Sequence, residues 1–204
     1  METLLLPSND PQALHVALQT LKGGRLVAFP TDTVYGLGAL VQIPRSIQAL
    51  YTVKGREAAK AIPLLLSSPQ ELDQVALAVS RMARRLAERF WPGPLTLVVP
   101  KHPSLPEELS PQATVGVRMP DHPVALALLR LTGPLAVTSA NRSGEESAVT
   151  AQEVVKALGG RIDLVLDGGK TPGGVSSTVV DCRGDAPQIL RQGPISLEAL
   201  QQVL

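Results

Sequence analysis

Phe29-Pro-Thr-Asp-Thr-Val-Tyr-Gly-Leu-Gly38 follows a short strand-like run, Arg25 to Ala28, and the rest of the chain is organised around it. Pro30 cannot donate to a sheet ladder, while Gly36 and Gly38 permit backbone conformations closed to other residues. The spacing predicts that strand geometry gives way here to a shaped turn presenting Thr31, Asp32, Thr33 and Tyr35. Short hydroxyl and carboxylate side chains fixed between a proline and glycines suit a polar pocket wall. They equally suit a tight structural turn whose hydroxyls are satisfied locally.

Composition sets the frame for that turn. A chain of 204 residues can bury a sizeable core, and with no shift of composition along it a single domain over residues 1–204 is expected. Apolar residues make up 44% but aromatic ones only 2%, so the core must be built from Leu, Val, Ile and Ala. A net charge of +1 gives no global reason to bind nucleic acid or an acidic membrane, so any basic site must be local. One cysteine, Cys182, excludes an intrachain disulfide and fits a reducing compartment. No leader peptide and no long apolar run is read, so the expected location is cytoplasmic and soluble, away from membranes.

Periodicity predicts a first helix with Asp10-Pro11 as N-cap and first position, ending at Gly23-Gly24. Strand 26–29 and the turn follow, then a helix over about 45–53, a strand over 62–66 and a capping-box helix opened by Ser68 to Glu71. A helix over about 80–90 aligns Arg81, Arg84, Arg85 and Arg89 along one stripe, either a solvated face or a contact for RNA phosphates. Strands over 95–99, 114–119, 135–138, 164–166, 178–182 and 188–190 alternate with helices near 123–131, 150–158 and from Ser196. Strands and helices in this order imply an α/β fold, a twisted mixed sheet flanked by helices.

Familiar motifs fail on inspection. Gly169-Lys170-Thr171 lacks the first glycine of a P-loop, because position 164 is leucine, and Gly36-Leu-Gly38 lacks the third glycine of a dinucleotide fingerprint. His15, His102 and His122 are scattered without metal-ligand spacing, and His122, at a helix start, reads as a local cap or a surface group rather than a catalyst. What remains is a set of hydroxyls, amides and cations at loop positions: Thr33, Lys54, Arg56, Lys60, Arg118, Ser139, Asn141, Ser147, Ser177 and Arg191. Such an inventory suits anions, and phosphoryl or nucleotidyl transfer needs mainly positioning and charge stabilisation.

The motifs at 29 to 37, Lys54-Gly-Arg56, Val117-Arg-Met-Pro120, Thr138-Ser-Ala-Asn141, Ser177-Thr-Val-Val-Asp181 and Ile189-Leu-Arg191 together closely resemble the YrdC/TsaC family of threonylcarbamoyl-AMP synthases. The resemblance runs from about residue 10 to the end. It implies a YrdC-like fold, similar to the RibB type, with a large basic cavity, and synthesis of threonylcarbamoyl-AMP and pyrophosphate from L-threonine, bicarbonate and ATP. The product would pass to a tRNA-modifying partner enzyme, with tRNA itself a further candidate partner. By the family pattern Lys54, Arg56, Ser139 and Asn141 form the catalytic signature. Thr33, Arg118 and Ser177 would hold threonine, and Arg56, Lys60, Thr114, Ser139, Ser147 and Arg191 would hold ATP. Mg2+ would arrive with the nucleotide rather than in a protein cage.

Glu57 stands where many relatives carry proline, adding a negative charge near the expected phosphates. The chain resembles the short family form, and glycine-rich 167–174 is the expected lid. Two other readings use the same residues: an RNA-binding accessory protein for tRNA or double-stranded RNA, and a related adenylating enzyme with another substrate.

Overall fold

In chain order the elements are β1 (Leu4–Pro7), α1 (Ala13–Lys22), β2 (Val27–Phe29), β3 (Gly36–Leu40), α2 (Pro44–Lys54), β4 (Leu64–Leu65), α3 (Leu72–Val75), α4 (Arg81–Phe90) and β5 (Leu95–Pro100). They continue with β6 (Thr114–Arg118), α5 (Pro123–Thr132), β7 (Leu135–Ser139), α6 (Ala151–Leu158), β8 (Leu164–Asp167), β9 (Thr178–Asp181), β10 (Gln188–Arg191) and α7 (Leu197–Gln201). These come from a computed structural model that describes residues 2–57 and 59–204, which leaves out Met1 and Ala58.

The strands form one mixed sheet in the order β1-β8-β2-β3-β7-β4-β6-β5-β9-β10. The pairs β1/β8, β2/β8, β4/β6 and β5/β9 are parallel and the others antiparallel. Because side chains alternate along a strand, each strand feeds both faces. On one face Leu37, Leu64, Leu97, Val117 and Val180 pack with Ile47 and Leu50 of α2, Leu86 of α4 and Val154 of α6. On the other, Phe29, Leu65, Leu135 and Val137 pack beneath Ala17 and Leu21 of α1 and Leu128 and Leu129 of α5.

That second cover stops at Leu65 and Val137. Further along the same face, the alternate positions Thr96 and Val98 of β5, Gly116 and Arg118 of β6, and Ser177 and Val179 beside them line a cavity instead. The site is thus the half of a sheet face that α1 and α5 leave open.

The 29–38 stretch departs from its sequence reading. Phe29 pairs with Gly36 and Val27 with Gly38, so the turn is confined to residues 30–35 and both glycines lie within a strand. Their φ angles are not positive; what they supply is close approach. A Cβ on Gly36 would stand 2.7 Å from Val137 Cγ1, and one on Gly38 2.9 Å from Phe29 Cε1. α1 also begins later than expected, since Asp10 Oδ1 accepts the Gln12 N–H at 2.7 Å in a turn before Ala13. The capping box expected at Ser68/Glu71 forms, and a second closes the start of α6 at Thr150/Glu153. His122 caps α5, its Nδ1 accepting the Val124 N–H at 3.3 Å. Among the described residues no helix is long and apolar enough to cross a membrane.

Candidate functional site

Thr31 shapes the hairpin loop from inside. Its buried hydroxyl donates to the Val34 carbonyl at 2.6 Å and accepts the N–H groups of Thr33 and Val34 at 3.2 and 3.3 Å. The Thr33 hydroxyl, 3.0 Å from that of Thr31, is thereby aimed across the sheet at Arg118. Arg118 ends β6, only 5% exposed, and is held on three sides. Its Nε donates to the Gly93 carbonyl at 2.9 Å, its Nη1 to Thr33 Oγ1 at 2.9 Å and its Nη2 to Asp32 Oδ1. Burial weighs against the guanidinium charge, and the Asp32 carboxylate opposes that shift. A guanidinium carries five N–H groups, so two are left for a ligand. Asp32, named in the turn but given no role by the sequence reading, is the residue that fixes Arg118; its Oδ1 also takes the Asp121 N–H at 3.0 Å.

Two more arginines reach the cavity, which measures about 270 Å³. Arg56 is half-buried and held by backbone alone, Nε to the Lys60 carbonyl at 3.1 Å and Nη2 to the Ala61 carbonyl at 2.8 Å. Arg191, on edge strand β10, grips the Ser177 carbonyl through Nε and Nη2 at 3.1 and 2.9 Å and the Ser177 hydroxyl at 3.1 Å. Partial burial lowers the Arg191 pKa and the nearby Arg56 charge lowers it further. Among the described residues neither Arg56 nor Arg191 has a carboxylate partner, and no acidic side chain lines the cavity. Uncompensated guanidiniums around one space are an electrostatic demand for an anion. Thr96 completes the wall, its hydroxyl 2.8 Å from that of Ser177.

Of the residues singled out from sequence, Thr33, Arg56, Arg118, Ser139, Ser177 and Arg191 line this cavity together, while Lys54, Lys60, Thr114, Asn141 and Ser147 do not. Asn141 and Ser147 line an adjoining recess that shares Ser176 with it. Asn141 Oδ1 is buried there without a hydrogen-bond partner, an acceptor available to a ligand. Lys60 is exposed and pairs with Glu57 at 3.5 Å, so the charge at Glu57 is met locally rather than turned on the cavity. Lys54 is buried and donates to the carbonyls of Ser139 and Asn141, two other residues of the signature.

Tyr35, Thr96 and Ser176 also line the cavity and were not singled out from sequence as ligand contacts. Tyr35 sends its ring to the opposite core, where its hydroxyl donates to the Gly169 carbonyl at 2.7 Å; burial pushes its pKa up to about 12. With the Gly174 N–H on the Thr33 carbonyl at 2.8 Å, this ties the expected 167–174 lid down at both ends. The α4 arginines lie elsewhere. Arg84 is paired with Asp73 at 2.6 Å, Arg85 donates to the Leu204 carbonyl at 2.5 Å, and Arg89 lies 5.5 Å from the Phe90 ring centroid.

A family model described as Sua5_yciO_yrdC, telomere recombination, matches residues 19–193. The chain belongs to this family. Among Sua5/YciO/YrdC relatives, the threonylcarbamoyl-AMP synthase of Bacillus subtilis (strain 168) is 42% identical over 205 residues, covering 98% of this chain and 58% of that protein. A Mycobacterium tuberculosis member is 40% identical over 199 residues, covering 97% of this chain and 92% of its own. The crystal structure of P. abyssi Sua5 complexed with L-threonine matches with a TM-score of 0.94 at 38% identity, over 100% of this chain and 61% of that one. The chain thus spans about three fifths of the Bacillus and Pyrococcus proteins.

Proposed function

We propose that the chain is a threonylcarbamoyl-AMP synthase that joins L-threonine, bicarbonate and ATP with release of pyrophosphate. The observation that carries this reading is the acid-free cavity with three guanidiniums, of which Arg118 is pre-aimed by Asp32 and Thr33. The L-threonine in the Pyrococcus relative supports the choice of amino acid.

In this reading the two free N–H groups of Arg118 take the threonine carboxylate, and Thr33 and Ser177 orient its polar groups. The amine nitrogen bonds to the bicarbonate carbon with loss of water, giving an N-carboxylate. One oxygen of that carboxylate attacks the α-phosphorus while the bond to the bridging oxygen breaks and pyrophosphate leaves. No side chain need act as nucleophile; Arg56 and Arg191 spread the developing charge, and the fixed geometry removes the entropic cost of bringing three reactants together. Ser139 and, across the recess, Asn141 and Ser147 meet the nucleotide. The cavity itself offers Mg2+ no carboxylate, Glu146 and Glu153 lying in the adjoining recess, which suits an ion carried by phosphates and water and supplying charge neutralisation there. The adenylate would pass to a tRNA-modifying enzyme in the cytoplasm.

Arg56→Ala removes a charge-assisted contact of about 1.5–3 kcal/mol, and about 10- to 150-fold in kcat/KM for ATP. Threonine affinity, set at Arg118, stays the same. Steady-state kinetics with each substrate varied checks both statements. The reading itself is tested by pyrophosphate release in ATP, magnesium and bicarbonate with L-threonine, L-serine or no amino acid. Release that did not depend on threonine would overturn it.

A further inference from the structure

The Lys54-Gly55-Arg56 spacing sends its two cations to opposite sides of a helix end. Lys54 is the last residue of α2 and is only 4% exposed. Gly55, with φ of 60°, reverses the chain, closed by the Gly55 N–H on the Thr52 carbonyl at 3.2 Å and the Arg56 N–H on the Tyr51 carbonyl at 2.9 Å. Past that reversal Arg56 reaches the cavity, whereas Lys54 turns inward. Its ammonium donates to the carbonyls of both Ser139 and Asn141, and its own carbonyl accepts the Ser143 N–H at 2.9 Å. A single residue thereby holds three points of the stretch 139–143. Ser139 of that stretch lines the cavity and Asn141 lines the recess.

We propose that Lys54 is a positioning residue, fixing the 139–143 turn from behind so that Ser139 and Asn141 face the nucleotide, and that it does not itself touch phosphate. What the turn faces rests on the synthase reading. How the turn is held does not. Two of the three Lys54 ammonium N–H groups are taken by the Ser139 and Asn141 carbonyls, and the side chain is buried outside the lining of both the cavity and the recess. The charged groups nearest it are Arg56 and Glu145. Burial, then the Arg56 charge, pull the Lys54 pKa down to about 8, and the neutral amine keeps two N–H groups, one for each carbonyl. The hold on the turn therefore survives loss of the proton.

The test combines hydrogen exchange on the ligand-free protein with ATP kinetics, for wild type, Lys54→Met and Lys54→Arg. Lys54→Met is expected to speed exchange of the 139–145 amides about 10- to 100-fold while β2 and α1 keep their protection. KM for ATP rises about tenfold while threonine affinity is unchanged, and Lys54→Arg, too large for the site, does not restore it. Wild-type ATP affinity stays level as pH rises through about 8. Unchanged 139–145 exchange with weakened ATP binding, full rescue by Lys54→Arg, or affinity lost through that pH range would make Lys54 a phosphate contact and overturn the proposal. Loss of protection throughout the chain would make it a stability residue only and would also overturn it. Exchange is read without ligand, so a wild type that releases no pyrophosphate would defeat the synthase reading while leaving this inference to be decided on the turn.

Discussion

Arg118→Ala will abolish threonine-dependent turnover and also destabilise the folded chain by about 3–5 kcal/mol, the usual cost of breaking one side of a buried ion pair. Both effects come from the same geometry. Among the described residues Arg118 is the only salt-bridge partner of Asp32, whose side chain is 12% exposed, and its removal leaves that carboxylate nearly buried and facing an empty space. The Gly93 carbonyl and the Thr33 hydroxyl lose their donors as well. At about 2–4 °C per kcal/mol for a domain of this size, thermal unfolding should show a drop of about 10 °C. Arg118→Ala combined with Asp32→Asn separates the two losses: stability returns in part because no charge is left unpaired, while turnover stays absent because the guanidinium is gone. Full stability in Arg118→Ala alone would mean that the Asp32 pair is not what orders the hairpin loop.

The second large effect is expected at a glycine two residues past Arg191. Gly193→Ala places a Cβ 2.3 Å from the Thr178 nitrogen, 2.5 Å from the Ser177 carbonyl carbon and 2.6 Å from the Ser176 oxygen. All three are backbone atoms at the start of β9, so no side chain can swing aside. Relief requires the segment after β10 to move away from β9, at about 1–3 kcal/mol for overpacking of this kind. That movement drags Arg191 off Ser177, and with it one wall of the cavity. We expect a loss of about 3 kcal/mol in stability and about tenfold in kcat/KM for ATP, the latter by analogy with removing one charge-assisted contact. Urea unfolding and kinetics at a fixed threonine concentration measure the two; unchanged values for both would show that β10 can shift without consequence.

The parts of this site legible in sequence are those where a residue's type and its place at a strand end agree. Arg118, Ser139 and Arg191 end strands β6, β7 and β10, Ser177 directly precedes β9 and Thr33 lies in the loop between β2 and β3, and all five line the cavity. The inward position of Lys54 is not legible, because its burial depends on Ser139 and Asn141, the first 85 residues away in sequence. Asp32 was visible between two threonines, but its role needed the cross-sheet neighbour Arg118. Gly36 and Gly38 were read for backbone freedom, whereas contact with Val137 and Phe29 is what requires them. Strand β1 escaped because four residues without alternation carry little signal; it is fixed by parallel pairing with Leu164–Asp167.

The central claim is that this cavity assembles an amino acid, bicarbonate and a nucleotide into one adenylate. The most direct measurement is mass spectrometry of the nucleotide product formed from ATP, magnesium, L-threonine and carbon-labelled bicarbonate by the purified chain. The account predicts a threonylcarbamoyl-adenylate carrying the label, formed in step with pyrophosphate and absent when threonine is omitted. Pyrophosphate accompanied by AMP alone, or a threonyl adduct without the label, would contradict it.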